Sequence, residues 1–229
     1  MSRTIAIVED EAALRDNYAE ILSRRGYRVN SYADRDSAMQ AFRARLPDLA
    51  ILDITLGEDI DAGFEMCREL RGLAAGLPIV FLTARDSDFD AIAGLRLGAD
   101  DYLTKDVSVP HILARVAALF RRVEALSASQ HKADVQRVGP LELDRDRLQV
   151  RWRDAAVELT LTEFWLVNAL ARRPGHVKNR DQLMEEASVV VDDATITSHI
   201  KRIRRKFRAV DEEFDGIDTV YGLGYRWRA

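Results

Sequence analysis

The first half of the chain alternates five short aliphatic runs with longer stretches whose apolar residues recur at helical spacing. The runs are Thr4–Val8 (TIAIV), Arg28–Tyr32 (RVNSY), Leu49–Asp53 (LAILD), Pro78–Thr83 (PIVFLT) and Asp101–Thr104 (DYLT). Between them, Glu11–Arg25 puts Leu14, Tyr18, Ile21 and Leu22 on one face. Asp34 stands where an N-cap is needed before Ser37–Arg45, and Gly26 offers a helix stop. Near-continuous apolar strands separated by helices need cover on both faces, which a parallel sheet with crossover helices supplies. The pattern predicts one α/β domain, doubly wound around a five-stranded parallel sheet.

A chain of 229 residues has room for a second domain. The pattern places a first domain at residues 1–122, a linker at 123–135 rich in small polar residues, and a second domain at 136–229. The second opens with strand-like pieces at Leu141–Asp144, Leu148–Trp152 and Ala156–Leu159. A helix follows in LTEFWLVNALARRPG, with Thr162 as cap and Pro174-Gly175 as stop; further helices begin near Arg180 and Asp193. IDTVYGLGYRWR closes the chain as a hairpin turned at Gly222 and Gly224. Strands, three helices and a terminal hairpin make a winged helix-turn-helix, an α+β domain. Trp152, Trp165 and Trp227 read as packing residues, and Cys67, between Phe64 and Leu70, as a small buried hydrophobe. No stretch is long and apolar enough to span a membrane, and Thr4–Val8 is too brief for a secretion signal. With a single cysteine, no internal disulfide can form, and the expected compartment is the cytoplasm.

In an open parallel sheet, ligands gather beyond the carboxyl ends of the strands. Glu9 and Asp10 follow the first run, Asp53 ends the third, Thr83 ends the fourth and Lys105 follows the fifth. Three acids, a hydroxyl and an ammonium thus converge on one edge. Neighbouring carboxylates share a proton or a hard cation such as Mg²⁺. A carboxylate can also attack phosphorus, with a cation and hydrogen-bond donors stabilising the transferred group. One acid after a strand is ordinarily a solvated loop cap; five such groups at successive strand ends favour phosphoryl chemistry.

A net charge of −4 argues on average against nucleic acid as a partner, but the charge is unevenly spread. Thr195–Phe207 (TITSHIKRIRRKF) carries five bases and no acid. On a helix, Ile196, Ile200, Ile203 and Phe207 make an apolar stripe. Ser198, Lys201 and Arg205 face the other way, Arg202 lies beside them, and Thr197 and Arg204 lie on the flank. A helix buried on one side and basic on the other, just before a wing, fits the DNA major groove better than bulk solvent alone.

These residues carry a resemblance. IVEDE (7–11), ILD ending at Asp53, TAR (83–85) and GLRLGADDYLTK (94–105) resemble the receiver of a two-component system, a flavodoxin/CheY-like fold. With LTEFWLVNAL, PGHVKNRDQL, TITSHIKRIRRKF and TVYGLGYRW, the whole chain resembles an OmpR/PhoB-type response regulator. The resemblance implies that a sensor histidine kinase phosphorylates Asp53, that Mg²⁺ is held by Glu9, Asp10, Asp53 and the Thr55 carbonyl, and that Thr83 and Lys105 contact the phosphoryl group. Tyr102 would be the aromatic that reports it. It implies a homodimer on phosphorylation, through Ile92, Leu95 and Ala114 with the pairs Asp101–Arg115 and Asp100–Arg122. It further implies RNA polymerase and double-stranded promoter DNA as partners. Base contact would come mainly from Arg202, supported by Thr195, Thr197, Ser198, Lys201, Arg204 and Arg205, with Thr219–Trp227 as the wing. The acidic loop and LTKDVS also resemble the regulators accompanying proteobacterial dedicated sortase systems.

Several positions depart from that pattern. Gly57 replaces the proline usual four residues after the acceptor, and Gly63 lies two residues beyond the usual glycine, which predicts a longer loop rich in Glu58, Asp59 and Asp61. Asp106 replaces the cis proline after Lys105, so the loop there is either strained or built differently. Ala91 and His111 replace a third interface ion pair, and Tyr221 occupies the place of the wing arginine, for which Arg226 offers a substitute. Two other readings stay open: a DNA-binding regulator that needs no phosphate, and a phosphatase with an aspartate nucleophile, since Asp53-Ile54-Thr55 faintly resembles the motif of haloacid-dehalogenase-like enzymes.

Overall fold

The computed structural model describes residues 2–127, 135–145, 147–186 and 193–228. Most of the expected linker, 128–134, lies outside the described residues. Two compact units, Met1–Ala114 and Arg115–Ala229, make up the chain.

In the first, β1 (Thr4–Val8), β2 (Arg28–Tyr32), β3 (Leu49–Leu52), β4 (Ile79–Thr83) and β5 (Asp101–Thr104) form one sheet. Its order is β2-β1-β3-β4-β5, and each pairing is parallel. The helices are α1 (Ala12–Arg24), α2 (Arg35–Ala44), α3 (Ala62–Leu73), α4 (Asp88–Leu97) and α5 (Val109–Ser127), the last running across the division between the units. Strands β1, β3 and β4 occupy the middle of the sheet, which is why their side chains are almost wholly buried. On one face Ala6, Val8 and Leu52 pack with Met39 and Phe42 of α2 and with Met66, Cys67 and Leu70 of α3. Asp34 caps α2 by accepting from the Ser37 N–H at 2.8 Å, as its position promised. Gly26, at φ +88°, turns the chain after α1.

In the second unit, β6 (Val135–Val138), β7 (Leu141–Asp144), β8 (Gln149–Trp152) and β9 (Ala155–Val157) form an antiparallel sheet. Strand β6 is an addition to the expected set; its residues, VQRV, are half-buried or exposed and carry little apolar signal. Then come α6 (Leu161–Ala171), α7 (Arg180–Glu186), α8 (Asp193–Val210) and the hairpin β10 (Ile217–Val220) with β11 (Gly224–Trp227). The cap of α6 is Thr160 rather than Thr162. Only Thr160 stands three residues before Glu163, and the two close a capping box, with the Thr160 N–H donating to Glu163 Oε2 at 2.8 Å. Thr162 lies inside the helix and is fully buried.

The hairpin is tied down at both ends. Lys178 and Tyr225 exchange backbone hydrogen bonds of 2.8 and 2.9 Å. A Cβ on Gly224 would fall 2.0 Å from the Lys178 carbonyl oxygen, so only glycine allows that approach. Below, Trp152 sits edge-on to Phe207 and Phe214, which stack on each other with centroids 4.4 Å apart, and Trp227 completes the cluster. Helix α8 and the wing thus share one aromatic core. No described helix is long and apolar enough to cross a membrane.

Candidate phosphoryl-acceptor site and nucleic-acid interface

Of the polar groups expected at the sheet edge, Glu9, Asp10, Asp53 and Lys105 meet there. Ligand oxygens of Glu9, Asp10 and Asp53 all lie within 4.8 Å of one another. Glu9 and Asp53 are buried, at 2% and 5% exposure, while Asp10 faces solvent. Lys105 Nζ donates to Asp53 Oδ2 at 2.6 Å and to Glu9 Oε1 at 2.9 Å. Burial pushes the Glu9 carboxyl above its ordinary value, against the pull of Lys105. Burial also works against the Lys105 ammonium, but its bonds to Asp53 and Glu9 outweigh that and raise its pKa. The backbone holds the other Asp53 oxygen: Oδ1 accepts from the Ile54 N–H at 2.6 Å and the Thr55 N–H at 3.4 Å. One carboxylate oxygen is therefore fixed by the chain and its twin is matched to a single cation. Three clustered acids with, among the described residues, one ammonium between them are the donor set of a hard divalent ion, so the residues fit Mg²⁺.

Thr83 is buried at the end of β4, and its Oγ1 accepts from the Arg85 N–H at 3.4 Å. Tyr102 is half-buried, and its hydroxyl donates to the Arg85 carbonyl at 2.9 Å. Burial, reinforced by Asp90, raises the Tyr102 phenol and keeps it a neutral donor. The Lys105–Asp106 peptide is trans; Val107 N–H donates to the Thr104 carbonyl at 3.2 Å, and the Thr104 hydroxyl donates to the Asp106 carboxylate. This loop is built differently, without proline and without a cis bond.

The longer loop after Asp53 is ordered by its own bonds. Leu56 and Asp59 pair through backbone hydrogen bonds of 2.9 and 3.2 Å around Gly57, which adopts φ +62°. The Leu56 side chain is tucked into the core. Gly57 N–H donates to Asp10 Oδ2 at 2.9 Å, a bond that proline at this position could not make. Gly63 N–H donates to the Ile54 carbonyl at 2.9 Å, and a Cβ there would lie 2.1 Å from the Asp53 carbonyl oxygen. Gly63 therefore lets α3 begin directly against the strand end. Arg85, a functional residue whose role no sequence pattern marks, bridges the edge: it donates to the Ile60 carbonyl, pairs with Asp61 at 3.3 Å and Asp90 at 3.1 Å, and lies over the Phe64 ring.

The residues expected at a dimer face differ in their exposure. Ala114 is exposed and Ile92 and Arg115 are half-buried, whereas Leu95, Asp100, Asp101 and Arg122 are buried. Asp100 turns inward, accepting from Arg71 at 2.8 Å and from the Ile79 N–H at 3.0 Å. Arg122 donates to the Thr162 hydroxyl at 3.2 Å.

On α8 the apolar stripe Ile196, Ile200, Ile203 and Phe207 is buried as expected. Arg202, expected to be the chief base contact, is only 5% exposed and donates to the buried Glu163 carboxylate and to His199. The reason is electrostatic: Glu163 has no exposure, and an unpaired buried carboxylate is strongly unfavourable, so α8 turns Arg202 and Lys206 inward to meet it. Although burial opposes ionisation, those two cations hold Glu163 down at about 2. Burial and the Arg202 charge push His199 down to about 3. The outward side carries Lys201, Arg205 and Arg208, all exposed, with Ser198 and Thr197 half-buried. Arg204 is tied to the wing through the Ile217 carbonyl and the Thr219 hydroxyl, both at 2.8 Å. Arg226 pairs with Asp218 at 3.0 Å, and Tyr221 projects fully at 93% exposure. Lys201, Arg204, Arg208, Arg228, Asp215 and Asp218 line a cleft of about 380 Å³ between α8 and the wing. Thr195 lies in α8, but its side chain is outside the described residues.

Comparison with known proteins agrees with this architecture. Residues 5–117 match the response regulator receiver domain, and residues 154–227 match the transcriptional regulatory protein C-terminal family. The chain is 38% identical to the transcriptional regulatory protein CreB of Escherichia coli K12 over 98% of its length and 97% of the relative's. It is 39% identical to the phosphate regulon regulator PhoB of Rhizobium meliloti, covering 96% of each. The solved structure of DrrB, an OmpR/PhoB homologue of Thermotoga maritima, aligns over 100% of both chains at 25% identity with a TM-score of 0.53. Such a domain pair is that of a DNA-binding regulator, not of the phosphatase that Asp53-Ile54-Thr55 faintly resembles. A receiver joined to a winged helix, matched from end to end by these relatives, makes the chain a two-component response regulator and transcription factor of the OmpR/PhoB family.

Proposed function

We propose that Asp53 accepts a phosphoryl group from a phosphohistidine of a sensor kinase, and that the acyl phosphate formed governs promoter binding by α8 and the wing. The carrying observation is the Asp53 carboxylate, with one oxygen held by backbone N–H groups and the other 2.6 Å from Lys105 Nζ, inside a cluster of acids. An Asp53 oxygen attacks phosphorus, the P–N bond to the donor breaks, and the electron pair leaves with the imidazole. Lys105 then stays with the new phosphoryl oxygens, and the Thr83 hydroxyl, one strand away, turns to donate to them. Glu9, Asp10, Asp53 and the Thr55 carbonyl are the residues that would hold Mg²⁺, which supplies positive charge to the transferred group.

Promoter DNA would meet the outward side of α8, with Lys201, Arg205, Arg208 and Ser198 as contacts and Tyr221 at the wing tip. Two copies joined through their receivers would place two winged helices on repeated half-sites and raise their effective concentration. RNA polymerase is the remaining partner of this reading, and the cytoplasm its place.

The test is intact-protein mass after incubation with Mg²⁺ and phosphoramidate. A phosphoryl-sized gain in the wild type and none in Asp53→Asn is the expected result. A gain that survives in Asp53→Asn would move the acceptor elsewhere, and no gain with phosphoramidate or a kinase would leave a regulator that works without phosphate.

A further inference from the structure

We infer that Ile60 and Phe89, flanked by exposed acids, form the docking patch through which this chain recognises the kinase that phosphorylates it; the inference rests on the Asp53 reading above. Both side chains stand out as large apolar groups in solvent, at 63% and 79% exposure. Neither belongs to the phosphoryl-acceptor machinery. They sit on the two segments that leave the strands bearing Asp53 and Thr83, one in the loop before α3 and the other in the first turn of α4.

Arg85 joins those segments. Its guanidinium donates to the Ile60 carbonyl and pairs with Asp61 on one side and with Asp90, next to Phe89, on the other. The Leu56–Asp59 pairing fixes the first segment, and the Ser87 cap, accepting from the Asp90 N–H at 3.1 Å, fixes the second. The two apolar anchors are thus held by one cation on a rigid base, which lowers the ordering cost of binding. Glu58, Asp59, Asp61, Asp86 and Asp88, their near neighbours along the chain, are all exposed.

Two apolar groups flanked by exposed acids fit a partner face with apolar sockets edged by lysine or arginine. A donor protein must bring its phosphorus to Asp53, which is 5% exposed, and so must cover the loops that rim it. That requirement selects the kinase over any partner that could bind elsewhere.

The probe is the soluble catalytic portion of whichever histidine kinase from the same genome phosphorylates the wild type fastest in a full panel. Ile60→Ser with Phe89→Ser should raise the KM for that kinase about tenfold or more. Its kcat and the mass gain from phosphoramidate should stay at wild-type values. Glu58→Lys with Asp86→Lys should raise the same KM and flatten its salt dependence, and it decides the matter if the double serine variant loses the phosphoramidate reaction. An unchanged kinase KM with an intact phosphoramidate reaction overturns the patch alone. If sedimentation shows instead that the serine variant abolishes self-association while kinase KM holds, the patch belongs to a second copy of this chain. A wild type phosphorylated by neither donor overturns the Asp53 reading and the patch together.

Discussion

The Arg202 guanidinium donates to the Glu163 carboxylate across the α6–α8 interface, and both side chains are shut away from solvent. The most basic helix of the chain therefore spends one arginine on its own fold. Arg202→Met leaves Glu163 with Lys206 alone and should lower stability by about 3–5 kcal/mol. Urea unfolding followed by tryptophan fluorescence isolates this effect, because Trp152, Trp165 and Trp227 all lie in the second unit.

Lys201→Ala and Arg205→Ala should behave in the opposite way. Each side chain is exposed, so the stability change should stay within about 0.5 kcal/mol. Each should weaken promoter binding and reduce the slope of log affinity against log salt by about 1, measured by fluorescence anisotropy.

His199 gives the second unit an acid-labile interior. Its folded pKa, depressed to about 3, lies below the unfolded value of 6.5. The unfolded chain therefore takes up a proton first, and stability falls as pH drops from about 6.5 toward 3, by up to about 1.4 kcal/mol per unit. Glu163, held at about 2, adds to the loss below its unfolded value of 4.5. Urea midpoints between pH 7 and 5 should fall in the wild type and flatten in His199→Gln.

Gly63→Ala places a methyl group 2.1 Å from the Asp53 carbonyl oxygen, where only backbone can give way. The cost should be about 1–3 kcal/mol or more, with slower phosphorylation by phosphoramidate because the strand end carrying Asp53 must move. Thermal unfolding beside the rate of mass gain separates the two effects.

Asp10→Asn and Glu9→Gln should each weaken Mg²⁺ at least about tenfold, the loss typical of disturbing groups around a metal site. Calorimetric titration of the full chain reads this directly, with or without any phosphodonor.

The sheet and its acidic edge were open to reading because a parallel sheet writes itself twice, as apolar runs and as the polar residue that ends each run. Asp53, Thr83 and Lys105 needed only that pattern. The inward turn of Arg202 was harder, since position 202 is adjacent on the helix to both the apolar stripe and the open side. The clue lay elsewhere, in Glu163: a lone acid in the apolar helix LTEFWLVNALA that must find a cation. The same glutamate marks Thr160 as the cap, through its spacing of three. Asp100 is held by Arg71, 29 residues back in the sequence, a contact that no motif or spacing announces. Such pairings depend on tertiary approach and leave no periodic trace.

The segment between Leu56 and Gly63 hangs from two fixed points, a leucine sunk in the core and a glycine pressed against the strand end. Length added between such points costs loop closure, about 0.6 kcal/mol for each doubling, together with whichever of the loop's own hydrogen bonds it displaces. Gene duplication can therefore lengthen or recharge this segment in one copy and leave the reacting carboxylate of both where it was. Sister regulators in one cell could part company in whom they listen to, residue by residue, without ever passing through an inert ancestor.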